Sequence, residues 1–312
     1  MNVTTMKAIR IHQYGGQQTL LTEQVAIPKI GEHDVLIAVK YSGINPVDWK
    51  VREGWLASEN LHQLPLILGW DLSGVVVQIG KQVSQFQVGD EVFAFGDLTK
   101  DGAYAQYIRV DASLVAKKPR TLTFAQAAAV PLTSLTAWQA ITQLAEIKPE
   151  QSILIHGASG GVGSFAVQFA MHLGAHVTAV ASAGNHSYLK SLGVEQIVDY
   201  RSPNYLQALG QFDYVFDVVD NDALGIYDTV KPSGKYISTL KTHQIPAHYT
   251  FAHERVMVMP SGEQLSHIST LIDNGEIRLP NIQELPFEQV AQAHALSETE
   301  HVQGKIVLEI KP

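Results

Sequence analysis

The clearest hydrophobic pattern begins at Ser152. Ser152-Ile153-Leu154-Ile155-His156 is a short run with an apolar centre, of the kind found in buried strands. Residues 157–163 read as a glycine turn, 164–174 as an amphipathic helix stopped by glycine, and 176–181 as a second buried strand. The alternation continues with a helix at 185–192, a strand at 196–200, a helix at 204–209, a strand at 212–219, a helix at 222–230 and a strand at 235–240. A last strand is expected at 256–258. Such alternation predicts a doubly wound parallel sheet with helices on both faces, an α/β fold.

The first third is different. Short strands are expected at 7–12, 34–42, 70–80, 91–96 and 103–110, the second with Val35, Ile37 and Val39 spaced by two. Gly, Asp and Pro punctuate them, which suggests a small rolled β domain. Thr123 caps a helix over 123–130, interrupted by Pro131. A second helix at 133–146 carries Leu135, Trp138, Ile141 and Leu144 on about one face. After Pro260 come a helix at 262–274, a short strand near Ile277, a helix at 287–299 and a closing strand at 304–310. These do not extend the alternating run and are assigned back to the first domain. The expected organisation is a β-rich domain over 1–122 and 260–312, and a doubly wound domain over 123–259.

Composition narrows the function. The 312 residues suit two domains. With 46% hydrophobic and 17% charged residues the chain can bury a sizeable core. A net charge of −8 argues against nucleic-acid partners and against an anionic membrane surface. Without cysteine there is no disulfide and no thiolate zinc site. The N-terminal residues lack the apolar core of a signal peptide, and no run approaches ~18 apolar residues, so the cytoplasm is the expected location. The 13 histidines do not make a metal site. His172 and His176 flank the helix-ending Gly174, and His243, His248 and His253 lack an H-E-x-x-H pattern. No nucleophile elbow occurs either, since Gly157-Ala158-Ser159-Gly160 is off the G-x-S-x-G spacing by one residue.

Ala158, Gly160 and Gly163 stand at the G-x-G-x-x-G spacing, between the strand and the helix that this motif requires. The first small residue makes the tight turn, Gly160 lets backbone approach a pyrophosphate, and Gly163 lets the helix pack on the strand. Ala158, Ser159, Gly160, Gly161 and Val162 are therefore candidate coenzyme-binding residues. The second strand ends Val180-Ala181-Ser182. An NAD site usually carries Asp or Glu there, whereas Ser182 can hydrogen-bond a 2′-phosphate, which favours NADPH. Tyr200 and Arg201, after the third strand, are candidates to close on that phosphate. Ser238, Thr239 and Leu240 end the fifth strand, where ligands of open parallel sheets bind.

Five stretches together resemble one family. They are Ser42-Gly43-Ile44-Asn45-Pro46-Val47-Asp48-Trp49-Lys50, Leu68-Gly69-Trp70-Asp71-Leu72-Ser73-Gly74-Val75-Val76, Val88-Gly89-Asp90-Glu91-Val92-Phe93, the turn at 157–163, and Gly304-Lys305-Ile306-Val307-Leu308. The chain resembles the zinc-free medium-chain dehydrogenase/reductase superfamily, in its quinone oxidoreductase (zeta-crystallin-like) and enone reductase branch. The resemblance implies a GroES-like β-rich catalytic domain split by an inserted Rossmann domain, with the coenzyme in the cleft between them. It implies two-electron reduction of a quinone or an α,β-unsaturated carbonyl, and a homodimer formed through Rossmann edge strands.

Zinc-dependent relatives carry cysteine at Asn45 and a His-Glu pair at Trp70-Asp71, so this chain is expected to hold no catalytic metal. By the resemblance, Asn45 lies near the nicotinamide and is the candidate donor to a developing oxyanion. Lys50 stands where quinone reductases often place a tyrosine near the coenzyme ribose. Thr136 resembles a threonine close to the nicotinamide carboxamide. The plainer readings are a turn at Asn45-Pro46, a solvated cation at Lys50 and an intrahelical bond at Thr136. Relatives often place Lys or Arg just after the serine, and this chain has Ala183-Gly184-Asn185-His186 instead. Trp49, Trp55, Trp70, Phe95 and the loop at 243–253 are the expected walls for a flat acceptor. The alternative from another class is a catalytically idle, crystallin-like NADPH-binding protein with a structural or regulatory role.

Overall fold

In the computed structural model, residues 4–219, 224–240, 245–299 and 304–311 are described. The strands Thr5–Ile11 (β1), Leu21–Ala26 (β2) and Asp34–Gly43 (β3) precede the helix Pro46–Arg52 (α1). Leu66–Ile67 (β4), Asp71–Ile79 (β5), Glu91–Phe95 (β6), Tyr107–Asp111 (β7) and Val115–Lys117 (β8) follow, then the helices Phe124–Ala128 (α2) and Pro131–Gln139 (α3). Next come Ser152–His156 (β9), Gly161–His172 (α4), His176–Ala181 (β10), His186–Ser191 (α5), Gln196–Asp199 (β11), Phe212–Asp217 (β12), Val230–Ser238 (β13) and Ala252–Arg255 (β14). Gly262–Asp273 (α6), Ile282–Pro286 (β15), Val290–Glu298 (α7) and Lys305–Glu309 (β16) complete the chain.

Contacts divide the chain into two units. Unit 1 is Met1–Leu132, Pro260–Gly275 and Asn281–Pro312; unit 2 is Thr133–Met259 and Glu276–Pro280. Unit 1 holds a small sheet in the order β2-β1-β4 and a larger one in the order β15-β16-β3-β5-β6-β8, with β7 also paired to β3. Its strands are GroES-like in character: short, mostly antiparallel and rolled, with Ile37, Leu72, Val92, Phe93 and Leu308 buried. β16 lies between β15 and β3, pairing antiparallel with β3 from Val307↔Gly43 to Glu309↔Tyr41.

Unit 2 is a six-stranded, wholly parallel sheet in the order β11-β10-β9-β12-β13-β14. That is the Rossmann order, with the switch point between β9 and β12. The central strands read as apolar runs because both faces are covered: Ile153, Leu154, Ile155, Ala179, Val180, Val215 and Phe216 are fully or almost fully buried. Phe212, Ile226, Tyr227, Val230, Tyr236 and Phe251 pack in one cluster with Leu154, Val180 and Val215.

Several boundaries differ from the sequence expectation for physical reasons. Pro131 opens α3 instead of interrupting a helix, since the first helical position needs no N–H. α3 runs on into a π-helical turn, Ala140–Leu144. No helix forms at 204–209, where Asn204 takes φ +57° and the chain makes turns. Of the helix expected at 222–230, Leu224–Thr229 is a 3₁₀ segment and residues 222–223 lie outside the described residues. The last parallel strand is β14, a few residues before 256–258, and all four of its residues are exposed. An edge strand of that kind carries no apolar signal. Ile277 is buried but not in a strand; β15 supplies that strand instead.

Candidate active site

In unit 2, β9 delivers the chain to a turn in which three of the four glycines have different jobs. Gly157 has φ +83°, and a Cβ there would lie 2.5 Å from Val219 Cγ2. A Cβ on Gly163 would lie 2.2 Å from Gly157 O and 2.7 Å from Ala158 Cα, so helix–strand packing demands glycine. Gly160 has ordinary extended dihedrals (φ −76°, ψ 176°), and a Cβ there would meet only Gly157 O, at 3.4 Å. The fold itself does not need glycine at 160; a bare backbone there serves a group arriving from outside. Gly160 is also the N-cap of α4, whose first N–H groups have no partner within the helix. Ser159, Gly160, Gly161 and Val162 are half-buried, and Ala158 is buried with its N–H donated to Val180 O (3.1 Å). These residues fit a dinucleotide pyrophosphate.

The carboxyl end of β10 is tied to this turn by a residue whose role the sequence did not reveal. Asn185 Nδ2 donates to Ser159 Oγ (2.9 Å) and Ser182 Oγ (3.2 Å). Read linearly, residues 183–186 showed only a missing cation. Tyr200 is 41% exposed, and the Arg201 guanidinium lies 5.5 Å from its ring centroid. Ser238 is buried and accepts from the Leu240 N–H (3.1 Å), while the Thr239 N–H donates to Asp217 O (3.3 Å). Thr136 is buried in α3.

A second unforeseen group joins the strand ends. His156 Nδ1 lies 2.9 Å from Asp217 Oδ1, and its Nε2 lies 3.2 Å from the Tyr205 hydroxyl. The Tyr236 hydroxyl donates to Asp217 Oδ2 (2.8 Å) and the Val219 N–H to Oδ1 (3.0 Å). Burial and the Asp217 carboxylate push the Tyr236 hydroxyl far above its usual range. Polar residues closing two apolar runs were the available signal.

Unit 1 holds a buried polar cluster of its own around α1. Asn45 is the N-cap and Pro46 occupies the first turn. Asp48 and Arg52, one turn apart, face inward, whereas Lys50 is half-buried. The Lys50 ammonium lies 5.2 Å and 5.3 Å from the ring centroids of Trp49 and Trp55. Asn45 is engaged at both ends of its amide: Nδ2 donates to Asp71 Oδ2 (2.8 Å), and Oδ1 accepts from Lys305 Nζ. Lys305 Nζ also donates to Ile44 O (2.8 Å) and lies 3.9 Å from Asp71 Oδ2. Asp71 Oδ1 accepts the Leu132 N–H (2.7 Å). Burial raises the Asp71 carboxyl to about 6 against the pull of Lys305, Asn45 and the Leu132 N–H. Burial lowers the Lys305 ammonium, opposed by Asp71 and Asp48.

A directional chain runs behind this group. Arg52 Nη1 lies 3.1 Å from His294 Nδ1, His294 Nε2 lies 3.1 Å from the Tyr104 hydroxyl, and that hydroxyl donates to Asp48 Oδ2 (3.0 Å). Asp48 Oδ2 also accepts the Asn45 N–H (2.8 Å), while the buried Oδ1 has no partner among the described residues. Burial pushes Asp48 up to about 7. Burial, then Arg52, pushes His294 down to about 3, so the ring is neutral. The aromatic walls divide: Trp70 and Phe95 are interior, Trp70 donating Nε1–H to Lys100 O (3.0 Å), and Trp49 is buried, while Trp55 is 56% exposed. Of the loop at 243–253, His243 lies outside the described residues. Among the described residues no group of three or more His, Cys, Asp or Glu could hold a metal ion.

Comparison with known proteins agrees with this architecture. Residues 31–120 match the alcohol dehydrogenase GroES-like domain, and residues 192–308 the zinc-binding dehydrogenase family model. The chain is 33% identical to the mitochondrial NAD(P)H oxidoreductase RTN4IP1 of Bos taurus, over 98% of this chain and 90% of that protein. It is 33% identical to the chloroplastic NADPH-dependent alkenal/one oxidoreductase of Arabidopsis thaliana, over 97% of this chain and 79% of that protein. The solved quinone oxidoreductase from Coxiella burnetii superposes with a TM-score of 0.90 at 31% identity, covering 98% of this chain and 100% of that one. Relatives named as enzymes do not favour the idle alternative. The chain therefore belongs to the medium-chain dehydrogenase/reductase superfamily, in its quinone oxidoreductase and enone reductase branch, and is a nicotinamide-dependent oxidoreductase.

Proposed function

We propose that this enzyme uses NADPH to reduce quinones or α,β-unsaturated carbonyls without a metal. The observation that carries the coenzyme half is Gly160, a glycine that neither its dihedrals nor its neighbours require. Ala158, Ser159, Gly160, Gly161 and Val162 would hold the pyrophosphate. Ser182, Tyr200 and Arg201 would hold the 2′-phosphate; β10 ends without the acid that would repel it. Thr136, Ser238, Thr239 and Leu240 would flank the nicotinamide. A bound reduced nicotinamide supplies the two electrons.

The chain's own contribution is donation and positioning. Asn45 and Lys50 are assigned as donors, the first to the oxygen on which charge develops, the second to that oxygen or the coenzyme ribose. The Lys305 ammonium on Asn45 Oδ1 supports the first role, because it polarises the amide and strengthens its N–H as a donor. The names of the alkenal/one oxidoreductase and quinone oxidoreductase relatives support the substrate class. The proposal extends to a cytoplasmic homodimer, with the exposed edge strand β14 as the element that would pair. No helix among the described residues is long and apolar enough to cross a membrane.

The test is loss of NADPH absorbance with a simple benzoquinone and with an alkenal, beside affinities for NADPH and NADH. Turnover with one acceptor class and tighter NADPH binding are expected. Binding with no turnover on either acceptor would overturn the reductase reading, and equal affinities the argument from Ser182.

A further inference from the structure

The structure assigns Asn185 as the residue that sets coenzyme selectivity, by holding two serine hydroxyls in the donor sense. This inference rests on the NADPH reading above. An amide nitrogen has hydrogens to give and no lone pair to accept with, while a serine hydroxyl has one hydrogen and two acceptor sites. Asn185 Nδ2 gives its hydrogens to Ser159 Oγ at 2.9 Å and Ser182 Oγ at 3.2 Å. Both hydroxyls are thereby used as acceptors, and each keeps its own hydrogen for another partner. One sits in the glycine turn before α4, the other at the carboxyl end of β10. Those are the two places where a dinucleotide phosphorylated on the adenosine ribose presents anionic oxygens.

The backbone supports the arrangement. Ser182 is the N-cap of the 3₁₀ turn Ala183–Asn185, and the Asn185 N–H donates to Ser182 O (2.9 Å), which folds the amide back over the serine. The Gly157 and Ala158 N–H groups both donate to Val180 O (3.1 Å each), so the turn and β10 are already joined one layer below. The nearby carboxylate of Asp199 is turned to its own segment, accepting the Arg201 N–H (2.9 Å). Asn185 thus does with a neutral amide what a lysine or arginine would do with charge: it keeps the phosphate-facing atoms hydrogen-rich.

The experiment is a double-mutant cycle on the full chain. Kd is measured by calorimetry for NADPH, NADH and 2′,5′-ADP, the last reporting the adenosine phosphates without turnover. In Asn185→Asp the isosteric carboxylate accepts from both hydroxyls and adds a negative charge. The NADPH and 2′,5′-ADP affinities are expected to fall ~10-fold or more, because each lost charge-assisted bond is worth at least a tenfold factor. NADH, lacking the 2′-phosphate, is expected to lose less, so the NADPH/NADH ratio falls. Asn185→Ala, which removes the bridge without a charge, is expected to lower the ratio by a smaller factor and stands in should the aspartate variant fold poorly.

If Asn185 acts through Ser182, adding Asn185→Asp to Ser182→Ala changes the ratio less than it does in the wild type. An unchanged ratio in both Asn185 variants, or full additivity with Ser182→Ala, would overturn the inference while leaving NADPH binding intact. A wild-type protein that binds neither dinucleotide would overturn the coenzyme reading and this inference together.

Discussion

Replacing Asp48 by asparagine should remove a pH dependence of stability that the wild type carries. The Asp48 carboxyl is wholly interior, accepts the Asn45 N–H and the Tyr104 hydroxyl on Oδ2, and leaves Oδ1 without a partner among the described residues. Burial lifts it from 3.8 to about 7. The folded state therefore holds this proton more tightly than the unfolded chain between those values. The sign follows: the contribution is fully present below about pH 4, is lost as pH rises, and levels off above about 7. At about 1.4 kcal/mol per tenfold change in proton affinity, about 4 kcal/mol is at stake overall. Of this, about 2–3 kcal/mol falls between pH 5 and pH 8.

Asparagine keeps an acceptor for both donors and cannot ionise. The assay is urea unfolding at pH 5 and pH 8 followed by tryptophan fluorescence, since Trp49, Trp55 and Trp70 all belong to unit 1. Asp71, also raised by burial, titrates in both proteins, so the quantity read is the difference between the two stability profiles. Asp48→Asn should gain about 2–3 kcal/mol on the wild type between pH 5 and pH 8. Parallel stability profiles would refute the claim that Asp48 is a high-pKa buried acid.

Other consequences are as concrete. Gly160→Ala should leave the melting temperature unchanged and weaken NADPH binding ~10-fold, whereas Gly163→Ala, forced against Gly157 O, should lower both stability and binding; equal behaviour of the two in calorimetry and melting would contradict the division of roles. Asp213 is raised by burial but lowered more by Lys231 and Ser152, to about 2. Its stabilisation is present above about pH 4 and is lost as pH falls through 2, so Asp213→Asn should differ most from the wild type near neutrality and converge with it in acid unfolding curves. Thr123 accepts the Gln126 N–H at the start of α2, and Thr123→Ala should cost about 1 kcal/mol in urea unfolding.

The parallel sheet was readable from the chain because its central strands are apolar on both faces and the glycine turn sits between predictable elements. β14 was misplaced because an exposed edge strand has no apolar period. The polar cluster was unreadable for another reason: its partners meet only in three dimensions. Tyr104 finds Asp48 across 56 positions and His294 across 190, and Lys305 reaches Asn45 across 260. Within Gly304-Lys305-Ile306-Val307-Leu308 the lysine looks like an ordinary surface cation at a strand end. Asn185 carries no charge to mark it in the sequence; it acts through hydrogen-bond polarity, which depends on Ser159 and Ser182 meeting it in the fold.

The position of β16 between β15 and β3 also governs how the protein is made. Translation delivers all of unit 2 before the strand that carries Lys305, so the nascent Asn45 and Asp71 wait for their counter-cation while a complete Rossmann sheet emerges between them. During that interval the flank of β3 from Tyr41 to Gly43, which β16 will cover, is an unpaired edge.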